Sequence, residues 1–253
     1  MKKTVRAALR RLEIWAEHFT VIAGVAISLF YFRVLNRMRV YGRGNLEGIE
    51  RNAIVASNHL SMFDSFAVGI AGFLPVIIVR PGVRPYHLAA RENYFGFWLV
   101  RLILKAWRAI PVDRGRFNRE LIARLLRIVG GGIIHIFPQG TRSYNLEDMR
   151  DGLGYLVAKS NPSPVVIPAY IEGTDRLFGG QPGKHSGLAR WLPRFPGFGR
   201  RTTVVFGEPI RFDRSSTSKD EDIRRVVTER IVTELVRLRD SLRQKPMTAP
   251  VST

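Results

Sequence analysis

Apolar residues fall along this chain in short blocks divided by polar turns, and the spacing inside each block predicts its element. Asn52–Ser57 is a run too short for a helix and reads as a buried strand, with Asn58-His59 just beyond it. Ser61–Phe73 reads as a helix, Pro75–Arg80 as a strand and Tyr94–Trp107 as a helix. Leu121, Ile122, Leu125, Leu126 and Val129 share one helical face; Gly130-Gly131-Gly132 stops that helix, and Ile133–Phe137 forms the next strand before Pro138. Val165–Ile171 and Thr202–Phe206 are further strands. Ile223–Leu242 is an amphipathic helix with apolar Ile223, Val226, Val227, Ile231, Leu235, Leu238 and Leu242. Strands alternating with helices predict an α/β fold, a central and mostly parallel sheet flanked by helices.

The N-terminus follows a different pattern. Phe19–Phe32 is an apolar run broken only by Thr20 and Ser28, preceded by Lys2, Lys3, Arg6, Arg10 and Arg11 and followed by Arg33, Arg37 and Arg39. It ends without the small-residue site of a cleaved leader. As a helix it reaches about 21 Å, short of the roughly 30 Å hydrocarbon core of a bilayer. The expectation is a membrane-associated helix, lying in one leaflet or forming one short anchor, with its basic flanks on anionic head groups. A buried helix of the core is the plainer alternative. The chain therefore divides into residues 1–40, an N-terminal helical segment; 41–245, the folded domain; and 246–253, a disordered tail.

Charge narrows the choice of partners. The 253 residues carry 40 Lys+Arg against 21 Asp+Glu, a net charge of +19. A folded body with that balance suits an anionic partner: a charged lipid surface, an acidic carrier or nucleic acid. Between Arg176 and Gly207 there is no acid, and Arg176, Lys184, Arg190, Arg194, Arg200 and Arg201 alternate with Phe178, Trp191, Phe195 and Phe198. Cations mixed with aromatics suit a membrane interface. The chain has no cysteine, which excludes disulfides, thiolate metal sites and thiol nucleophiles.

Two short stretches concentrate the chemistry. In Asn58-His59-Leu60-Ser61-Met62-Phe63-Asp64, His59 and Asp64 would point about 140° apart on a continuous helix. They can meet if the helix starts near Ser61 and His59 stays in the turn before it. Asp64 then receives the imidazole N–H and leaves the other nitrogen as a base. Ser61-x-x-Asp64 is also a capping box, which needs no catalysis. Phe137-Pro138-Gln139-Gly140-Thr141-Arg142-Ser143 follows a strand; its glycine turn exposes backbone N–H groups and Arg142 adds a guanidinium, a pairing suited to phosphate. Arg114 follows another apolar segment, Ile110–Val112. Val166–Thr174 is apolar enough to line an acyl groove or to fill the core.

These four stretches, in their order along the chain, resemble the glycerolipid acyltransferase family, typified by 1-acylglycerol-3-phosphate O-acyltransferase. Its signature is Asn-His-x-x-x-x-Asp, an Arg-containing block, Phe-Pro-Glu-Gly-Thr-Arg-Ser and a Pro-containing strand; the likeness runs from about Asn45 to Ile210. The resemblance implies His59 as general base and Asp64 as its partner. It implies substrate contacts from Asn58, Ser61, Arg114, Gln139, Gly140, Thr141 and Arg142, the last three and Arg114 on the phosphate of the acceptor. Gln139 stands where the family usually has Glu; an amide cannot carry charge or act as a base, which bears on acceptor identity.

The implied reaction moves a fatty acyl group from acyl-CoA or acyl-carrier protein to the hydroxyl of 1-acyl-glycerol-3-phosphate, giving phosphatidic acid. Another lysophospholipid or glycerol-3-phosphate is the alternative acceptor. A thioester is already activated, so no metal or other cofactor is called for, and direct attack by the acceptor hydroxyl needs no covalent intermediate. Backbone N–H groups at the start of the Ser61 helix are the expected oxyanion donors. The expected partners are membrane lipids and the acyl donor, without nucleic acid, and the expected place is the cytoplasmic face of the cell membrane. No signal for an oligomeric state is present.

Competing chemistries fit less well. There is no Gly-x-Ser-x-Gly elbow for a serine hydrolase. Gly179–Ser186 misses the spacing of an ATP-binding loop. His87 and His135 lack ligand spacing and read as structural histidines. A non-enzymatic basic module binding anionic lipid or nucleic acid would leave Asn58–Asp64 and Phe137–Ser143 without a purpose.

Overall fold

The computed structural model describes residues 19–74, 76–80, 83–91, 98–113, 118–177, 197–212 and 219–244. Arg114, the ends of the chain and most of the basic-aromatic segment therefore lie outside the described residues. Seven strands form one sheet in the order β1-β7-β6-β2-β5-β3-β4: β1 Arg37–Tyr41, β2 Ala53–Ser57, β3 Tyr86–Ala90, β4 Ala109–Val112, β5 Ile133–Ile136, β6 Val165–Glu172 and β7 Arg201–Phe206. Every neighbouring pair is parallel except β6–β7. The central strands β2, β5 and β6 are buried almost throughout, as expected of strands covered on both faces.

Alternation along the strands sorts the core into two layers. Ala53 and Val55 of β2 face one cluster, which includes Val68 and Phe73 of α2 (Asp64–Phe73), Trp107, and Val21, Val25 and Phe32 of the N-terminal helix α1, residues 19–35. Ile54 and Ala56 face the other, with Leu125 and Val129 of α5 (Arg119–Gly131), Leu153 and Leu156 of α6 (Gly152–Lys159), and Ile223, Val227, Ile231, Leu235 and Leu238 of α7 (Asp220–Gln244). Val226 was expected on that stripe but is exposed. Glu234 takes a buried place on it and pairs with Arg230 at 3.0 Å and Arg237 at 2.7 Å.

The stretch expected as a strand at Pro75–Arg80 contains instead a single helical turn, α3 (Val76–Val79). Only Ile77 of that turn enters the core, and β3, at Tyr86–Ala90, takes the place in the sheet. A strand in that place would bury alternate residues; α3 buries one residue and turns the chain. The helix expected at Tyr94–Trp107 is seen as α4 (Trp98–Ala106). β1 starts at Arg37, ahead of the boundary expected at residue 41.

α1 is two-sided. Val21, Val25 and Phe32 are buried, while Phe19, Ile22, Ile27, Phe30 and Val34 are exposed, each by more than half. Among the described residues no helix is long and apolar enough to cross a membrane.

Candidate active site

β2 and β5 are parallel neighbours with Ala56 opposite Ile136, so the residues three places further along each strand leave the sheet side by side. They are His59 and Gln139. The His59 N–H donates to Gln139 Oε1 at 2.8 Å, and Ser143 N–H donates to His59 O at 3.0 Å, tying the two motifs together along their lengths. On the other side Asn58 clamps β6: its Nδ2 donates to Ile171 O at 2.8 Å, and Ile171 N–H donates to Asn58 Oδ1 at 2.7 Å. Asn58 is thus a scaffold bond between strands, placed at the carboxyl edge of a parallel sheet, where α/β folds carry their sites.

His59 Nδ1 lies 2.9 Å from Asp64 Oδ2. The same oxygen accepts from Leu60 N–H at 2.6 Å and Ser61 N–H at 2.8 Å, and Asp64 has no solvent exposure. Three donors converging on one oxygen hold a carboxylate and orient the ring, so Nδ1 carries the proton toward Asp64 and Nε2 is the free nitrogen. The ring stacks on Phe137 with centroids 3.9 Å apart and planes 13° apart, which fixes its second axis.

The helix starts at Asp64, three residues later than expected, because Asp64 folds back on the turn. Only half of the capping box forms: Asp64 accepts from Ser61 N–H, while Ser61 Oγ accepts from Phe63 N–H at 3.3 Å rather than from Asp64. Of the N–H groups expected to serve an oxyanion, those of Leu60 and Ser61 are taken by Asp64, and that of Asp64 donates to Ser61 O at 3.2 Å. Met62 and Ser65, in the same turn, line an apolar cavity beside His59.

Gln139 is 1% exposed, and each of its polar atoms meets a backbone partner. Its Nε2 donates to Ser143 O at 3.1 Å and to Asn145 O at 2.5 Å. A carboxylate could accept from His59 N–H but would confront two carbonyls, which explains the amide in this chain. The side chain braces the loop rather than meeting a substrate, contrary to the sequence reading. Gln139→Glu is therefore expected to destabilise the fold by about 1–3 kcal/mol, read as a fall in denaturation midpoint at neutral pH. An unchanged midpoint would show that the loop does not depend on the two donors.

Beyond Gln139, Gly140 sits at φ +67 and its N–H closes a turn on Phe137 O at 2.9 Å. Among the described residues no acceptor takes the N–H of Thr141 or Arg142, and the Arg142 guanidinium has no acidic partner. Successive free N–H groups after a left-handed residue, with an arginine in the same turn, are an arrangement able to accept an oxyanion such as phosphate.

An apolar cavity of about 170 Å³ opens beside His59 and Gly140, lined by Met62, Phe66, Leu88, Leu104, Trp107 and Val112 among others. β6 does not line it; the apolar run at Val166–Ile171 fills the core. Sequence reasoning missed the lining from β3, which carries no motif.

Behind the site lies a buried chain of polar groups. His87 Nδ1 and His135 Nδ1 are 3.1 Å apart, and His135 Nε2 is 2.8 Å from Ser57 Oγ, which donates to Asn58 O at 3.1 Å. A hydroxyl has one proton, so Ser57 accepts from His135 Nε2–H and His135 Nδ1 accepts from His87. Burial pushes the His87 imidazole down to about 3; burial, then His87 and His59, hold His135 well below the usual 6.5. The folded state then binds fewer protons than the unfolded state between those values, so stability rises with pH there. The contribution is complete above about 6.5 and declines as pH falls toward about 3. His87→Phe is expected to flatten the fall of melting temperature between pH 6.5 and about 4. Parallel curves for variant and wild type would exclude the pair as its source.

A family model described as Acyltransferase matches residues 37–172, more than half of the chain. Tafazzin of Drosophila melanogaster is 28% identical over 205 residues, covering 76% of this chain and 50% of the relative. The chain thus spans about half the length of that curated relative. The crystal structure of the 1-acyl-sn-glycerophosphate (LPA) acyltransferase PlsC from Thermotoga maritima shares the fold, with a TM-score of 0.59 and 22% identity over 91% of this chain and 82% of that one.

Proposed function

The chain belongs to the acyltransferase family, and from that premise we propose that it transfers a fatty acyl group from acyl-CoA or acyl-carrier protein to the free hydroxyl of 1-acyl-glycerol-3-phosphate, forming phosphatidic acid. The observation that carries the proposal is the His59–Asp64 pair at 2.9 Å, bonded through Gln139 and Ser143 to a turn with unclaimed N–H groups and the unpaired Arg142.

In this reading His59 Nε2 removes the hydroxyl proton as the acceptor oxygen attacks the thioester carbonyl carbon. The carbon–sulfur bond then breaks, and the thiolate leaves with the proton returned from the imidazolium. Asp64 keeps the ring in one tautomer throughout. The Gly140–Arg142 turn holds the phosphate, with Arg114 as a further candidate. The cavity beside His59 takes the first part of the donor's acyl chain. At about 170 Å³ it resembles the roughly 150 Å³ apolar cavities that accept a benzene ring, enough for about six carbons.

The exposed apolar face of α1, with Arg33 in its last turn and Arg37 and Arg39 on the strand that follows, suits one leaflet of an anionic membrane, on the cytoplasmic side. Extracting an acceptor with about 15 methylenes from a bilayer costs on the order of 12 kcal/mol, so an enzyme for that substrate works best at the surface. The decisive experiment is a panel of lyso-acceptors, with glycerol-3-phosphate, against acyl-CoA and acyl-carrier donors, using purified protein in liposomes. Preference for 1-acyl-glycerol-3-phosphate supports the proposal. Preference for another lysophospholipid or glycerol-3-phosphate moves the acceptor, and no transfer to any of them rejects it.

A further inference from the structure

The chain returns to the phosphate-type turn after Ser143. Arg150 N–H donates to Pro138 O at 2.8 Å, which brings residue 150 alongside the Phe137–Ser143 motif. Its side chain lies directly on Gly140. A methyl group built on Gly140 would stand 2.7 Å from Arg150 Cδ, 2.9 Å from its Nε and 3.6 Å from its Cζ. Gly140 itself lines the cleft with His59. The absence of a side chain at residue 140 therefore lets a guanidinium approach the turn from outside the motif.

Charge neutralisation does not account for that position. Arg150 is exposed and makes no ion pair among the described residues, and the acid next to it, Asp151, is engaged by Arg224. Glu147 and Asp148, on the same loop, form no ion pair with it either. The turn thus has two unpaired guanidinium groups, Arg142 from within it and Arg150 across Gly140, together with the free N–H groups of Thr141 and Arg142. A phosphate monoester carries up to two negative charges and three terminal oxygens, and one guanidinium leaves part of that capacity unmet.

We infer that Arg150 is a second guanidinium of the acceptor site, contacting the phosphate that Arg142 and the turn also hold. This rests on the phosphate-acceptor reading above, and its test separates the two. Arg150→Met keeps the apolar stem against Gly140 and removes the charge; Arg150→Lys keeps a charge. Both are assayed in mixed micelles with lysophosphatidic acid and with a neutral monoacylglycerol of the same chain, using acyl-CoA and acyl-carrier donors in turn.

The expected result is a rise of about ten- to a hundredfold in KM for lysophosphatidic acid in Arg150→Met, with donor KM nearly unchanged and Arg150→Lys recovering most of the loss. If the Met variant lowers the melting temperature, Arg150→Gln replaces it in the same comparison. Wild type that prefers lysophosphatidic acid, with an unaltered KM in the neutral variants, removes Arg150 from the site. Wild type that accepts monoacylglycerol equally well, or neither acceptor, overturns the phosphate reading itself and this inference with it.

Discussion

His59→Ala is expected to lower the rate of acyl transfer by about 10²–10⁴-fold, the usual contribution of a positioned general base. The expectation follows from how completely the ring is held. Asp64 fixes one nitrogen at 2.9 Å, Phe137 fixes the ring plane, and the His59 backbone is tied to Gln139 and Ser143 on both of its polar groups. Those backbone bonds survive the substitution, so the variant should fold and bind anionic vesicles as wild type does. The assay is turnover in liposomes beside a vesicle co-sedimentation. A rate within threefold of wild type would remove His59 from proton transfer; lost vesicle binding would assign it a structural role instead.

Asp64→Asn carries the second large effect, and it acts on two levels. Oδ2 of Asp64 collects three donors, two of them backbone N–H groups that shape the turn leading into α2. An amide oxygen in that place accepts more weakly than a carboxylate, so the fold should lose about 1–3 kcal/mol. The chemistry should lose more. Without the buried charge the imidazole is no longer held with Nδ1 protonated, and the developing imidazolium has no counter-charge. In serine hydrolases the matching substitution lowers kcat by about 10⁴, and a fall of about 10²–10⁴ is expected here. Paired measurements of kcat and denaturation midpoint separate the levels. A kcat loss no larger than the unfolded fraction explains would leave Asp64 only the turn.

The arrangement of the site shows why its motifs lie where they do. Asn58-His59 and Gln139 leave adjacent parallel strands at equal offsets, so strand register alone brings the base and the Gly140 turn to one edge. Asn58, Ser57 and Gln139 then serve as fasteners: Asn58 to β6, Ser57 to His135, and Gln139 to its own loop and to His59. The single substitution of Glu by Gln within an otherwise familiar motif has a local cause. Two carbonyls, of Ser143 and Asn145, point at that side chain and require donors.

The alternation of apolar and polar positions determined the class of the fold, because buried parallel strands are continuous apolar runs and their covering helices repeat every three to four residues. The His59–Asp64 spacing and the glycine turn with Arg142 were equally readable, since residues close in sequence must meet or diverge by local geometry. Other features depended on contacts between distant segments. Pro75–Arg80 has the composition of a strand, but only the assembled sheet shows that Tyr86–Ala90 fills that place. The N–H groups of Leu60 and Ser61 look available in one dimension and are taken by Asp64 in three. Gln139 resembles a substrate contact until its backbone partners appear. Arg150, seven residues past Ser143, carries no motif and reaches Gly140 only because its backbone bonds to Pro138. Periodicity records burial, which is a local average over one face; hydrogen-bond partners are individual and are chosen only when the chain closes on itself.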